Sequence, residues 1–305
     1  MKIAIYLSSV PPKVKNEQKI NALKRFGKGV ESNGDSVQFV TDTRVVDSDV
    51  SVIQGFVSND FTSSHLRLRK EVVDRSQSAI IIDSNLFQFS CTEDPSFYLR
   101  YSVNGVFPTT GFYFDNKIDS SRWAKISNRL NLQLADYREN GDHVLISLQR
   151  MQGWSMRNID VQTWLDECIS KIRMFSDRKI VVRKHPGDKK QHELRIKFND
   201  VVFSENPLLV TDLKNCWANV TFNSSPGVAS LIKGIPTFVT DPSPCHSQTY
   251  PICNTDISLI ETPALYDRQP WIERLCQFHW NNDEVASGEA WEFMKERLVL
   301  FNKNK

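Results

Sequence analysis

A polar turn, Asn223-Ser224-Ser225, is followed directly by Pro226 and Gly227 and then by an apolar helix pattern. Ser225 suits the N-cap of that helix and Pro226 its first position, where a missing N–H costs nothing. The N–H groups of a helix start attract anions, and the loop that leaves a parallel strand faces the ligand crevice of an open sheet. The turn therefore predicts phosphate contacts from Asn223, Ser224, Ser225 and Gly227; a plain helix cap is the alternative.

Other polar residues follow the predicted strands 143–148 and 179–183. A cation stabilises the negative charge of a phosphate, so Arg150 and either Arg183 or Lys184 are candidates for that role. His185, which precedes Pro186, could donate to phosphate or to a nucleotide, or it could be a turn histidine packed on the proline. The remaining candidates for this site are Gln149, Gly153, Trp154 and Ser155. For Trp154 there are two interpretations: it could stack on a sugar or base, or it could belong to the core.

The elements that would position these residues alternate between strands and helices. Such alternation predicts parallel sheets with right-handed crossovers, and therefore an α/β chain whose two halves are both Rossmann-like. The segment 84–115 is irregular and rich in aromatic residues, and we interpret it as a long functional loop. The predicted helices near the end of the chain cover residues 270–280 and 283–300.

Composition restricts the possible functions. Of 305 residues, 40% are hydrophobic and 24% charged, and the net charge is +2, which is typical of a globular protein and excludes a global polycation. The first strand pattern begins at Lys2, no apolar run is long enough for a membrane span, and we expect a cytoplasmic location. The first thirty residues are locally basic, with Glu17 as their only acidic residue.

Four features of the second half occur in order: Gln149-Arg150 with Gly153-Trp154-Ser155, Arg183-Lys184-His185-Pro186, Asn223 to Gly227 with Lys233-Gly234-Ile235-Pro236, and His279-Trp280 followed by Ser287 to Trp291. This combination resembles GT-B glycosyltransferases, particularly the branch of bacterial capsule polysaccharide (Kdo-transferase-like) enzymes and related phage-encoded enzymes. The resemblance covers roughly residues 143–295. It implies two Rossmann-like domains with parallel sheets facing across a cleft.

The domain boundaries that we predict are 1–139 for the acceptor side, 140–282 for the nucleotide-sugar domain and 283–305 for a helix that returns to the first domain. In the family, the H-P and N-S-x-x-G turns line the nucleotide-sugar site. A Glu that often follows the second turn to hold a ribose is replaced here by Ala229 and Ser230, so Glu205 is our candidate for that contact. The resemblance implies catalysis without a metal or a cofactor; the co-substrate is a nucleotide-sugar, with a UDP-sugar favoured.

A glycosyltransferase that inverts configuration needs a base for the acceptor hydroxyl. Asp83, after a strongly apolar strand of the first half, is our candidate, and Asp60 and Asp115 are its rivals. A retaining mechanism would not need this base, and the sequence does not decide the stereochemistry.

Basic and aromatic residues of the first half suit a polyanionic acceptor, and the residues that we select for it are Lys13, Lys15, Arg69, Tyr101 and Asn104. The leading hypothesis is sugar transfer to a 5-hydroxymethylpyrimidine in phage DNA, which would take place in the host cytoplasm. A capsule or surface saccharide acceptor, with a CMP- or UDP-sugar donor, and a non-catalytic nucleotide-binding scaffold are the alternatives.

Overall fold

The computed structural model describes residues 1–11, 13, 16–55, 57, 63–87, 89, 97–107, 111, 118–151, 156, 159–188 and 190–303. The strands are β1 Lys2–Tyr6, β2 Ser36–Val40, β3 Val50–Gln54, β4 Ala79–Asp83, β5 Tyr98–Val103, β6 His143–Ser147, β7 Lys179–Arg183, β8 Val201–Phe203, β9 Cys216–Thr221, β10 Thr237–Val239 and β11 His279–Asn281. The helices are α1 Glu17–Ser32, α2 Ser64–Arg75, α3 Ser121–Leu130, α4 Val161–Arg173, α5 Leu209–Asp212, α6 Pro226–Ile232, α7 Gln269–Cys276, α8 Asn282–Ser287 and α9 Glu289–Lys303.

The chain forms two compact units. Unit 1 consists of Met1–Asn85, Glu93–Asp119 and Arg274–Lys305, and unit 2 consists of Leu86–Thr92 and Ser120–Glu273. The change from unit 1 to unit 2 thus comes about twenty residues before the predicted boundary at 139. The return to unit 1 falls within α7, before the predicted boundary at 282.

Unit 1 contains a six-stranded sheet in the order β11-β5-β4-β3-β1-β2. Strands β1 to β4 pair in parallel, but β5 pairs antiparallel with β4, and β11 pairs antiparallel with β5. The sheet is therefore mixed, whereas the sequence predicted a parallel one. Part of the predicted aromatic loop, Tyr98–Val103, is in fact β5, and all six of its residues are buried.

The end of the chain also differs from its predicted helices. The helix predicted at 270–280 ends at Cys276, because His279 to Asn281 add a strand to the sheet edge instead. The helix predicted at 283–300 is divided in two at Gly288, whose φ of 93° favours glycine. A capping box of Asn281 and Glu284 begins the first of them. The second, α9, belongs to unit 1 and packs within it through Trp291, whose Nε1 donates to the buried Asp35 at 2.7 Å.

Unit 2 contains a five-stranded sheet, entirely parallel, in the order β10-β9-β6-β7-β8. The strongest helix prediction is confirmed here: α4 begins at the cap Asp160, which accepts from the Thr163 N–H at 2.8 Å. Its apolar stripe packs on the sheet in one core, formed by Val161, Trp164, Leu165, Cys168, Ile169 and Ile172 with the inner residues of β6, β7 and β9. No helix among the described residues is long and apolar enough to cross a membrane.

Candidate functional site

The candidate site lies at the carboxyl edge of the unit 2 sheet. In the strand register, Ser147 is level with Arg183 on one side and Thr221 on the other, and Thr221 is level with Val239. Two residues beyond each of these four positions stand Gln149, His185, Asn223 and Asp241. Since side chains in a strand alternate with a period of two, the register brings four polar residues from four neighbouring strands into one row.

Hydrogen bonds connect three members of this row. Gln149 Nε2 donates to Asn223 Oδ1 at 2.8 Å, and the Asn223 backbone N–H donates to Gln149 Oε1 at 2.9 Å. Asn223 Nδ2 donates to Asp241 Oδ2 at 2.7 Å, and the Ser243 N–H donates to Asp241 Oδ1 at 2.8 Å. Gln149, Asn223 and Asp241 are 6%, 7% and 3% exposed. The sequence had named the first two as ligand contacts and had missed Asp241 as a member of the site.

The predicted turn differs in detail from a simple anion cradle. The side chain and the backbone N–H of Asn223 make hydrogen bonds within the protein, so this residue stabilises the loop. The N–H of Gly227 donates to Ser224 O at 3.1 Å, and that of Val228 donates to Ser225 O at 2.9 Å. The sequence had predicted that N–H groups at the start of α6 would contact an anion. These two instead donate to carbonyl oxygens of the turn.

The other residues of the turn have distinct roles. Pro226 occupies the start of α6, as predicted, and Ser225 is its N-cap residue, but the Ser225 side chain makes no capping hydrogen bond. Ser225 is exposed and Ser224 is half-buried. A Cβ on Gly227 would lie 2.9 Å from the Thr237 methyl group, which shows that this glycine is required for packing. The two serine hydroxyls are thus the groups of the turn best placed to meet a ligand.

The loops after β6 and β7 are held together by Asp188. Its Oδ2 accepts from the Met151 N–H at 2.5 Å, and its Oδ1 accepts from the Lys190 N–H at 2.9 Å. A Cβ on Gly187 would lie 2.7 Å from Arg150 Nη2. The exposed Arg150 guanidinium therefore lies directly over the turn that follows His185.

His185 is half-buried and its ring is oriented by the turn itself. The Gly187 N–H donates to His185 Nδ1 at 3.0 Å, which places the proton of the neutral ring on Nε2. Burial, and then the cation of Arg150, lower the pKa of His185 from its usual value, although Asp188 acts in the opposite direction. The hydrogen bond at Nδ1 and the lowered pKa both favour the neutral ring, whose N–H is then at Nε2.

Arg183 has a different environment from the one predicted. Its Nη1 lies 2.5 Å from Asp212 Oδ2 in a buried ion pair and also donates to Asn206 O at 2.9 Å, while Nη2 donates to Pro207 O at 3.0 Å. Its side chain is only 11% exposed. Arg183 therefore fastens the loop after β8 beneath the site, and the predicted catalytic role is not supported.

The remaining donor-side candidates are found at the same edge or outside the described residues. Lys184 Nζ lies 4.0 Å from the centre of the Phe203 ring and lines one open groove together with the exposed Glu205. Pro186 is exposed in the turn after His185. The predicted contacts Gly153, Trp154 and Ser155 lie outside the described residues.

The acceptor-side candidates belong to unit 1. Asp83 Oδ2 accepts from Arg100 Nη2 at 2.8 Å, and Oδ1 accepts from the Ser84 N–H at 2.8 Å. Both oxygens of the predicted base are therefore engaged by protein donors. Its rivals Asp60 and Asp115 lie outside the described residues.

Three predicted acceptor contacts have structural roles. Tyr101 is 1% exposed and stacks on Phe26 with the ring centres 5.6 Å apart. Asn104, at a φ of 60°, accepts from the Ala79 N–H through Oδ1 at 2.8 Å. Arg69 is 5% exposed and donates through Nε to Ser9 O at 2.9 Å. Lys13 is exposed, and Lys15 lies outside the described residues.

Chemically, the edge of unit 2 offers a cation, a neutral imidazole N–H and two hydroxyls around a rigid polar row. Such donors suit an anionic group with several oxygens, such as a phosphate. Among the residues that the structure describes, no group of three or more His, Cys, Asp and Glu could hold a metal ion.

No protein-family model matches the chain, and no curated protein matches it. Solved structures do match. The β-Kdo 2,4-transferase of Thermosulfurimonas dismutans KpsC aligns with a TM-score of 0.59 at 12% identity, over 92% of this chain and 92% of that one. The chain has the GT-B fold. The β-Kdo 2,7-transferase of the same KpsC gives a TM-score of 0.57 at 14% identity over 90% of each chain. The GT-B fold implied by the motif resemblance is thereby confirmed, and the row of polar residues belongs to its second Rossmann-like unit.

Proposed function

We propose that this chain is a glycosyltransferase that moves a sugar from a nucleotide-activated donor to a hydroxyl acceptor. The observation that carries the proposal is the row of Gln149, His185, Asn223 and Asp241 at the carboxyl edge of a parallel sheet, with Arg150 lying over the turn after His185. Ligands of open α/β sheets bind at this edge. The two solved structures of similar fold are named as Kdo transferases.

The proposed chemistry is stabilisation of the leaving phosphate. As the bond between sugar and phosphate breaks, negative charge develops on phosphate oxygens, and fixed donors stabilise it more in the transition state than before. In the proposed complex, Arg150 and the Nε2–H of His185 face those oxygens. The hydroxyls of Ser224 and Ser225 orient the phosphate, and Lys184 with Glu205 lies toward the nucleoside.

The donor nucleotide is the finer part of the proposal. A UDP-sugar was favoured from the sequence, and a CMP-sugar belongs to the Kdo-like alternative. Both sugar nucleotides would present a phosphate to the same hydrogen-bond donors of the site. A binding measurement with UDP and CMP therefore distinguishes them, whereas the geometry of the site does not.

For the acceptor we now place a saccharide before DNA. The DNA hypothesis depended on basic and aromatic residues that could hold the backbone and stack on bases. Tyr101 and Arg69 are buried, and Asn104 accepts from the Ala79 N–H, which joins the end of β5 to the start of β4, so these three are engaged in the fold of unit 1. The exposed Lys13 suits any anionic acceptor, including an acidic sugar. Transfer to a 5-hydroxymethylpyrimidine in DNA is the alternative that the acceptor assay tests.

The first experiment is a thermal-shift screen of the full chain against UDP, CMP, GDP, ADP and TDP. A nucleotide at a hundredfold its dissociation constant stabilises the protein by about 2.7 kcal/mol, which corresponds to a shift of roughly 5 to 10 °C for a unit of this size. We expect one nucleotide to give such a shift. Absence of a shift with all five at millimolar concentration would contradict the proposal.

Matched lysine variants test the location of the site. Lys184 and Lys179 stand at opposite ends of β7, and Lys179 is exposed at the amino end. We expect Lys184→Ala to reduce the nucleotide shift and Lys179→Ala to leave it unchanged. Equal effects of the two variants would place the nucleotide elsewhere.

Turnover then separates the enzyme from a nucleotide-binding scaffold. The matching sugar nucleotide is incubated with acidic oligosaccharides and, separately, with hydroxymethylated DNA, and nucleotide release is measured. Release with the saccharide supports the proposal, and release with DNA alone restores the DNA hypothesis. Binding without release in either case would favour the scaffold.

A further inference from the structure

The row at the carboxyl edge of unit 2 contains one residue that no motif had singled out, the buried carboxylate of Asp241. It stands after β10, and its two oxygens accept from Asn223 Nδ2 and from the Ser243 N–H. At 3% exposure it is the most deeply buried of the three connected side chains. A buried carboxylate must have hydrogen-bond partners, and these two donors are therefore structurally significant.

The carboxylate determines how the neighbouring amides are oriented. An ionised carboxylate only accepts hydrogen bonds, so it must face the NH₂ group of Asn223 and not its oxygen. Asn223 Oδ1 is then turned toward Gln149 and accepts from Nε2. Gln149 Oε1 is consequently turned toward the Asn223 backbone and accepts its N–H. The charge at one end of the row thus sets the direction of two successive side-chain hydrogen bonds, and the third bond agrees with them, because the Asn223 backbone N–H can only donate.

The last of these bonds holds the main chain of the turn that the proposed function assigns to phosphate. Asn223 is followed directly by Ser224 and Ser225, whose hydroxyls face the ligand in that proposal. If residue 223 were free to rotate, both hydroxyls would move with it. A preorganised site avoids the ordering cost of binding.

We propose that Asp241 is a positioning residue that fixes the ligand-binding turn through Asn223 and Gln149. The inference rests on the proposed function only in its choice of ligand. Asn223 acts as the intermediary and makes no contact with the nucleotide through its side chain. Asp241 acts at a distance, through the geometry of the Ser224-Ser225 turn.

A reciprocal exchange of the two residues tests this assignment. Asp241→Asn has one side-chain oxygen where the donors Asn223 Nδ2 and Ser243 N–H need two acceptors, so one of these two hydrogen bonds is lost. Asn223→Asp places two carboxylates in contact. The double variant N223D/D241N keeps all four bonds. Its carboxylate at position 223 can accept from Gln149 and from the amide NH₂ group at position 241, and the amide oxygen at position 241 can still accept from the Ser243 N–H.

Two measurements are made on the full chain. The first is titration with UDP and with CMP, and the second is amide hydrogen exchange at residues 223–225 without ligand. We expect each single variant to bind the nucleotide about tenfold more weakly, the loss typical of an unpaired buried polar group, and to exchange faster at residue 223. The double variant should recover both properties to within about threefold of the original protein.

The possible outcomes separate the two proposals. Unchanged affinity and exchange in Asp241→Asn would overturn the positioning role. Restored exchange without restored binding in the double variant would also overturn it, because Asn223 would then contact the nucleotide directly and an aspartate there would repel phosphate. If the original protein binds neither nucleotide, the proposed function fails, and the exchange measurement alone still decides whether Asp241 orders the turn. A single variant that does not fold, combined with a double variant that does, supports the orientation argument.

Discussion

Replacement of Arg183 distinguishes a structural cation from a catalytic one. From the sequence, this arginine or Lys184 was a candidate to neutralise the charge of the leaving phosphate, whereas the structure places Arg183 in a buried ion pair with Asp212, 2.5 Å apart. The Asp212 carboxylate also accepts from Ser204 Oγ at 2.5 Å and from Asn206 Nδ2 at 2.6 Å. In Arg183→Met, a carboxylate whose side chain is 1% exposed would keep two neutral donors and lose its counter-charge.

The expected magnitude follows from the burial of both partners. Removal of one member of a buried ion pair costs about 3 to 5 kcal/mol, because the other charge stays buried without compensation. Each kcal/mol lowers the melting temperature by roughly 2 to 4 °C in a unit of 150 to 250 residues. Arg183→Met should therefore melt about 6 to 20 °C lower. Conversion of the partner to a neutral isostere, in R183M/D212N, should recover much of this loss.

Differential scanning calorimetry of these variants, with Lys179→Met at the exposed start of the same strand as the control, gives the answer. The control should stay within about 0.5 kcal/mol of the original protein. If Arg183→Met melted normally and lost nucleotide binding, Arg183 would contact the ligand and our assignment would be wrong. If R183M/D212N were no more stable than R183M, the uncompensated charge would not be the cause.

Three further predictions concern pH and packing. Arg150→Ala should raise the pKa of His185, which burial and then the Arg150 cation now lower, and NMR titration of the ring measures this change. Between the pKa values of the folded and unfolded states the unfolded state binds more protons, so the free energy of unfolding rises with pH there. Denaturation at several pH values should show a smaller rise of this free energy in the variant. Gly29→Ala should strongly lower the melting temperature of unit 1, because its Cβ would overlap the Val285 carbonyl oxygen of α8, and an unchanged melting temperature would contradict this close contact. Burial by itself would raise the pKa of Asp35, but hydrogen bonds from a lysine, the terminal amine and a tryptophan lower it from 3.8 to about 2; the stability that it contributes is therefore present above pH 3.8 and lost as the pH falls toward 2, and Asp35→Asn should lack this dependence in acid denaturation.

The elements of unit 2 could be predicted because their patterns are local. The apolar spacing from Val161 to Ile172 needs one face of one helix, and its cap Asp160 lies in the same segment. The short strands before Gln149, His185 and Asn223 were likewise predictable, since each is a compact apolar run followed by polar residues.

The errors in unit 1 arise from pairing between distant segments. Tyr98–Val103 is an inner strand with all six residues buried, because β4 and β11 pair with its two edges, and β11 is formed near the end of the chain. Since the pairing with β11 cannot be seen in the sequence, the aromatic pattern of β5 looks the same as that of an aromatic-rich loop. The same pairing takes His279 and Trp280 out of the helix that was predicted at 270–280.

The site shows which polar residues a sequence can assign to a ligand and which it cannot. Position after a strand predicts that a side chain reaches the carboxyl edge, and Gln149, His185 and Asn223 do so. Whether it then contacts a ligand depends on the donors and acceptors that remain after its bonds within the protein are made. Asn223 has its side-chain oxygen, an amide hydrogen and its backbone N–H engaged, whereas Ser225 is exposed and its hydroxyl makes no cap. Ser225 is therefore the better candidate for a phosphate contact. Asn223, although it begins the sequence motif, is the better candidate for holding the turn in place.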